Sequence, residues 1–178
     1  MTDLFSAIFT VLIGEEGGYT NDPKDPGGET NWGIDKRSHP NVDIKNLTQD
    51  QAKQIYLEDY WIFQKSPAQF SGDNLPPALA LMMFDAAVNN GPVRAREWLQ
   101  AAVGVATDGV IGSQTLAALR VALADPALGP DGLAAEFLAR RIDFMATLST
   151  WSYFGLGWSR RLAALPFKSK LLPSNPTV

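Results

Sequence analysis

Apolar residues recur every three or four positions at Leu4, Phe5, Ile8, Phe9, Leu12 and Ile13, which predicts a buried helix at the start of the chain. Gly14 and the Gly17-Gly18 pair stop it, because glycine takes the left-handed conformation that ends helices. From Tyr19 to Gly33 the pattern dissolves into Asn, Asp, Pro, Gly and Thr, the chemistry of an irregular loop, with a short hairpin ending at Asn31-Trp32-Gly33-Ile34. Helical spacing resumes from Thr48 to Trp61 behind a Thr48–Gln51 capping box. Pro76-Pro77 suits the first turn of the most apolar segment, Ala78 to Val88, the expected central helix of the core. Asn89-Asn90-Gly91-Pro92 breaks that helix, and Val93 to Val103 makes another amphipathic one. Further helices are expected near residues 113–124, 131–148 and 152–164, with Ser113 and Asp131 as N-caps. The pattern as a whole predicts a mainly α globule with a small irregular or β-hairpin wing near residues 19–34.

Composition narrows the chemistry. At 178 residues the chain is one domain, or two small ones sharing a core. It has no cysteine and one histidine, His39, which removes disulfides, thiol nucleophiles and zinc sites built from two or three imidazoles. A serine triad would depend on His39, yet the Ser38-His39-Pro40-Asn41 stretch is turn-like and no nucleophile elbow is present. No metal and no cofactor are therefore expected, and the 19 acidic residues are left to do any proton transfer. The net charge of −4 argues against nucleic acid as a partner. That charge is uneven: no acidic residue follows Asp143, so the last stretch carries +4 and the first 143 residues −8. The basic, aromatic tail either packs as a closing helix or makes weak contact with an anionic surface. The apolar run at residues 4–13 is shorter than the roughly 20 residues that span a bilayer, and it has no secretory-signal pattern. The expectation is a chain made in the cytoplasm, with no stable membrane insertion.

Two stretches could carry catalysis. In Glu15-Glu16-Gly17-Gly18-Tyr19, a glutamate follows the C-terminal end of an apolar helix. The negative end of the helix dipole disfavours its ionised form and raises its pKa, as a general acid requires. Two solvated surface glutamates would look the same. Downstream, the prolines and glycines of Asp22-Pro23-Lys24-Asp25-Pro26-Gly27-Gly28-Glu29-Thr30 fix a loop that could bring a second carboxylate across a cleft. An acid facing a base is the arrangement that hydrolyses a glycosidic bond. A calcium loop is the competing reading, although the spacing of Asp22, Asp25 and Glu29 does not fit an EF-hand.

The two stretches together, Glu16-Gly-Gly-Tyr19 followed by Asp25-Pro-Gly-Gly-Glu-Thr30-Asn-Trp-Gly-Ile34, closely resemble the signature of glycoside hydrolase family 108, muramidases of phage endolysins and secretion-associated lysozymes. The resemblance implies a lysozyme-like fold and makes Glu16 the catalytic acid. By similarity to phage lysozymes in which a glutamate, an aspartate and a threonine line one cleft, it gives Asp25 and Thr30 supporting roles. It continues through Phe84-Asp85-Ala86-Ala87-Val88-Asn89-Asn90-Gly91, Trp98-Leu99-Gln100, Asp108-Gly109-Val110-Ile111-Gly112, Thr115-Leu116 and the closing Gly157-Trp158 with Arg160-Arg161, which look like the peptidoglycan-binding segment that accompanies this family. The implied organisation is a lysozyme-like catalytic region at residues 1–91 and a helical peptidoglycan-binding region at 92–178, packed into the same globule.

The activity so implied is hydrolysis of the β-1,4 bond between N-acetylmuramic acid and N-acetylglucosamine by a monomer acting on peptidoglycan glycan strands. Glu16 would act as acid, with Asp25 and Thr30 on the water side and inversion as the outcome. Tyr19 and Trp32, flanking the catalytic loop, are candidate sugar contacts, while Tyr56, Tyr60 and Trp61 sit at helical spacing and read as core. Asn89 either caps its helix or offers an amide to an N-acetyl sugar. Asp85 either bonds an arginine or faces the cleft, because a carboxylate in so apolar a helix is costly to bury alone. Asp108, Gly109 and Gly112 read as a tight turn before a helix. The rival activities are a lytic transglycosylase, a non-catalytic wall-binding module, and a membrane-disrupting role for the tail added to hydrolysis. Phage-type release through a holin would take the chain from the host cytoplasm to the periplasm.

Overall fold

The computed structural model describes residues 3–14, 18–21, 28–66 and 69–173. The chain opens with helix α1 (Asp3–Leu12), whose Leu4, Phe5, Ile8 and Phe9 are buried. A small antiparallel sheet follows, β1 (Thr30–Asn31) on β2 (Ile34–Asp35), with Thr30 opposite Asp35 and Asn31 opposite Ile34. Then come α2 (Gln49–Tyr56), α3 (Pro77–Asn90), α4 (Pro92–Ala102), α5 (Ser113–Ala124), α6 (Gly129–Ala146) and α7 (Trp151–Ser169). The mainly helical architecture with one small wing is the one that the hydrophobic pattern predicts.

Helix α3 is the axis of the core. Leu79 through Ala87 are buried without a break, because α1, α4, α6 and α7 all pack around it. Pro76 and Pro77 open it as expected, and Gly91 ends it at φ 89°. One hydrophobic cluster runs from Leu4 to Leu165, so the two halves of the sequence share their interior.

Four boundaries differ from expectation for physical reasons. The helix expected over 48–61 begins with the Thr48–Gln51 capping box, but after Tyr56 it widens into a π-type turn at Leu57–Trp61, closed by Ile62 N–H on Leu57 O at 3.0 Å. The extra residue in the turn lets Tyr56 and Trp61, five apart, both enter the core. Trp61 lies flat on Gly72, where an added Cβ would come within 2.3 Å of the ring. Ser113 is the first residue of α5 rather than its cap, and Asp131 lies within the first turn of α6, where it still meets the positive end of the dipole. Finally, α7 continues through Pro166 to Ser169 instead of stopping near 164, held down by buried Leu162 and Leu165.

Candidate active site

The expected acid and its partner, Glu16 and Asp25, fall outside the described residues; the frame from which they depart and to which they return is described. Helix α1 closes with Ile13 N–H and Gly14 N–H both on Phe9 O, and Gly14 takes φ 71° as its left-handed cap. The last turn of α1 is met from the far end of the chain, where Lys168 Nζ on α7 donates to Val11 O at 3.0 Å. A cation therefore already opposes the negative end of the α1 dipole, which weakens that dipole as a source of a raised carboxyl pKa nearby.

Beyond Gly18, the chain is pinned as a stem. Thr20 and Thr30 exchange both backbone hydrogen bonds, at 2.8 and 2.9 Å, and Tyr19 Oη donates to Glu29 Oε1 at 3.0 Å. Thr30 thus occupies the base of the loop that leaves at Asn21 and returns at Gly28. Tyr19 is exposed, so its ring face is open to solvent.

The hairpin after Thr30 turns through Trp32 at φ 53° and Gly33 at φ 76°. Two consecutive left-handed residues form the tight turn that suits a two-residue hairpin, but its usual first residue is Asn or Asp, and a tryptophan there is strained. Side chains hold the strain in place. Trp32 Nε1 donates to Leu47 O at 3.1 Å, Asn31 Nδ2 to Ile44 O at 3.0 Å, and Tyr56 Oη to Trp32 O at 3.3 Å. Gly33 has no alternative, since a Cβ there would stand 2.5 Å from Tyr56 Oη. Burial pushes the Tyr56 phenol up to about 12, with the neighbouring Tyr60 adding to the shift, so it remains a donor at any physiological pH. The Trp32 indole is half-buried with its N–H consumed, leaving only ring surface to meet a ligand.

Asp85 takes the arginine-bonded of its two alternatives. It is fully buried, its Oδ2 meets Arg141 Nη1 at 2.5 Å, and its Oδ1 accepts from Arg161 Nε at 2.9 Å and Nη2 at 2.6 Å. Both carboxylate oxygens are thereby occupied, and none of its surface faces a cleft. Burial pulls the Arg141 guanidinium below its ordinary value, and Asp85 opposes that shift. Arg141 Nε also donates to Asn90 Oδ1 at 3.0 Å. Asn89 is exposed in the last turn of α3 and donates Nδ2 to Asp85 O at 2.7 Å, which closes its helix locally. Asn89, Asn90, Trp158 and Arg161 line a small cavity of about 110 Å³ beside this triad.

Sequence reasoning missed Arg141 and Tyr56 as parts of this frame. Arg141 was legible in principle, since it falls on the buried face of α6 between Phe137 and Met145, where only a residue paired to a buried acid belongs. Tyr56 was assigned to the core, where its ring does lie, but nothing local reveals that its hydroxyl reaches a carbonyl 24 residues away.

The second half is joined to the first by polar side chains. Gln64 exchanges hydrogen bonds with the backbone of Ile111, at 2.8 and 3.0 Å, and Arg96 bonds the carbonyls of Phe63 and Gly109. Gln100 holds Asp108 Oδ1 at 2.7 Å and accepts from Gly109 N–H at 2.8 Å, with Gly109 at φ 71°. Asp108 and Gly109 thus build the tight turn before α5. A polar cleft of about 550 Å³ opens where these parts meet, bordered by His39, Asp59, Tyr60, Lys65 and Arg96. His39 Nε2 lies 3.0 Å from Asp59 Oδ2 across its wall.

Comparison with known proteins adds the following. Residues 9–91 match the family model for glycosyl hydrolase 108, and residues 94–163 match the model for a predicted peptidoglycan domain. The solved structure of Brucella abortus SagA is 33% identical in sequence, covers 98% of each chain, and superimposes with a TM-score of 0.76. No curated protein sequence matches.

Proposed function

The chain belongs to glycosyl hydrolase family 108 and is a glycoside hydrolase acting on peptidoglycan, and we propose that it is a muramidase in which Glu16 protonates the bridging oxygen between N-acetylmuramic acid and N-acetylglucosamine. Asp25, with Thr30, orients the attacking water on the opposite face, and the bond is cut with inversion. The observation that carries this reading is the Thr20–Thr30 stem. It ties the segment that follows Glu16 to the segment that follows Asp25 at one narrow base, directly after the end of α1. The Tyr56 hydroxyl on α2 and the backbone carbonyls of Ile44 and Leu47 fix the adjoining hairpin, so the stem stands on a rigid support, as a pair of carboxyl groups needs if their separation is to admit one water. Tyr19 and Trp32 offer ring surface, and the exposed Asn89 would meet an N-acetyl group. Synthesis in a bacterial host and release to the wall through a membrane lesion belong to the same reading.

The test is product analysis on purified peptidoglycan beside the Glu16→Gln variant. The expected products end in reducing muramic acid, the first anomer detected by proton NMR is α, and Glu16→Gln melts like the wild type while losing at least about a hundredfold in rate. Anhydro-muramic ends would assign a lytic transglycosylase instead, and a fully active Glu16→Gln would end the assignment.

A further inference from the structure

Helix α7 carries two apolar faces. The inner one buries Gly155, Leu162 and Leu165 against the core, with Trp151 and Trp158 half-buried beside them. The outer one is turned to solvent: Tyr153 is 83% exposed, Leu156 68%, Phe167 71%, and Leu171, just past the helix end, 75%. Positions 153, 156, 160, 163, 167 and 171 are three or four apart and fall on one side, so these residues form a single stripe about 27 Å long. Arg160 stands in the middle of the stripe and Lys170 at its end, with Lys170 Nζ 5.7 Å from the centre of the Phe167 ring. Half of the large apolar side chains exposed among the described residues lie between Tyr153 and Leu171. A helix packed on a globule needs one apolar stripe, and a second one facing water marks a contact surface.

We propose that the outer face of α7 docks flat on an anionic lipid surface. The charges select this partner. Of the four cations after Asp143, two are spent inside the protein, Arg161 on Asp85 and Lys168 on Val11 O, and they clamp the helix to the body. Arg160 and Lys170 make no hydrogen bond or ion pair among the described residues, and both are exposed along the stripe, placed to meet lipid phosphates while Tyr153, Leu156, Phe167 and Leu171 enter the acyl boundary. The rest of the chain, at −8, is repelled by the same surface, so only this face can approach it. A glycan strand fits less well: the stripe is convex, half aliphatic, and offers no amide or carboxylate to sugar hydroxyls, whereas sugar sites are concave and polar. No described helix is long and apolar enough to cross a membrane.

The experiment is co-sedimentation of the full chain with vesicles of phosphatidylglycerol and phosphatidylcholine against vesicles of phosphatidylcholine alone, beside retention on purified peptidoglycan sacculi. Anionic vesicles should pellet the protein, neutral ones should not, and raising salt from 0.1 to 0.5 M should release most of it, on the order expected from screening. Tyr153→Ser/Leu156→Ser/Phe167→Ser should weaken vesicle binding at least about tenfold, and Arg160→Ala/Lys170→Ala by about fivefold per charge. Because all five side chains are exposed, both variants should keep the wild-type melting temperature. Equal pelleting with neutral and anionic vesicles would overturn the proposal, as would unchanged vesicle binding by the triple variant. So would a concentration-dependent dimer in sedimentation velocity that the triple variant abolishes, or a loss confined to sacculus retention, which would give the stripe to a second copy or to the glycan. Each of these readouts is independent of whether Glu16 is the acid.

Discussion

The hairpin wing and the α3–α6–α7 junction are held by opposite means. The wing is short and strained, with too few apolar residues for a core of its own; its turn is fixed by neutral hydrogen bonds from Trp32, Asn31 and Tyr56 to carbonyls. The junction is deep and apolar, and its one acid is gripped by two arginines from helices 56 and 76 residues further along. Neutral donors fix a conformation at small cost because no single one of them is indispensable. A buried ion triad is different in kind, since each charge is tolerable only while the others remain. The wing can therefore be adjusted in small steps, whereas the junction holds as a unit or fails.

Asp85→Asn probes the junction at its most sensitive point. It leaves the Arg141 guanidinium buried without its counter-charge, and a loss of about 3–5 kcal/mol is expected in denaturant melts, with Arg161 set free on the surface. A loss under about 1 kcal/mol would mean that the triad is not what binds α6 and α7 to α3. Gly33→Ala probes the wing. The positive φ and the Cβ approach to Tyr56 Oη together should cost about 2–4 kcal/mol. Activity should fall further than stability alone explains if the turn supports the proposed catalytic loop; equal falls in both would make the wing a passive element.

Tyr56→Phe has the smallest effect near neutrality, about 1 kcal/mol for one hydrogen bond to Trp32 O. Its signature lies in the pH dependence. The phenol titrates near 10.0 in the unfolded chain and near about 12 in the fold, so the protonated form contributes stability that is complete below pH 10 and lost as pH rises through 12. Wild type should therefore lose up to about 2–3 kcal/mol over that interval that the phenylalanine variant does not lose. Parallel alkaline unfolding curves for the two proteins would show that the hydroxyl is solvated rather than buried.

Much of the helical body was legible because one-dimensional spacing carries it. Leu4 to Ile13 and Ala78 to Val88 announce α1 and α3 by their apolar repeats, and Thr48 with Gln51 announces the start of α2. The wide turn after Tyr56 was not legible, since it exists to seat Trp61 over Gly72, a contact between segments. The run of α7 past Pro166 was hidden for the same reason: proline predicts a stop, and the anchors that override it, Leu165 in the core and Lys168 on Val11 O, are tertiary. At the site, Thr30 could be assigned to the loop that it closes, but the strain at Trp32 could not, because tryptophan carries no preference for a left-handed turn. Asp85 left two alternatives open, and only packing decides between them.

The bond from Lys168 to Val11 joins residues 157 positions apart. A ribosome has released the first helix long before it has made the lysine that completes that helix's end. During synthesis the support beside the proposed acid thus stays unfinished until α7 has emerged. Fragments cut short before Lys168 lack the clamp, which ties the finishing of the first helix to the synthesis of α7.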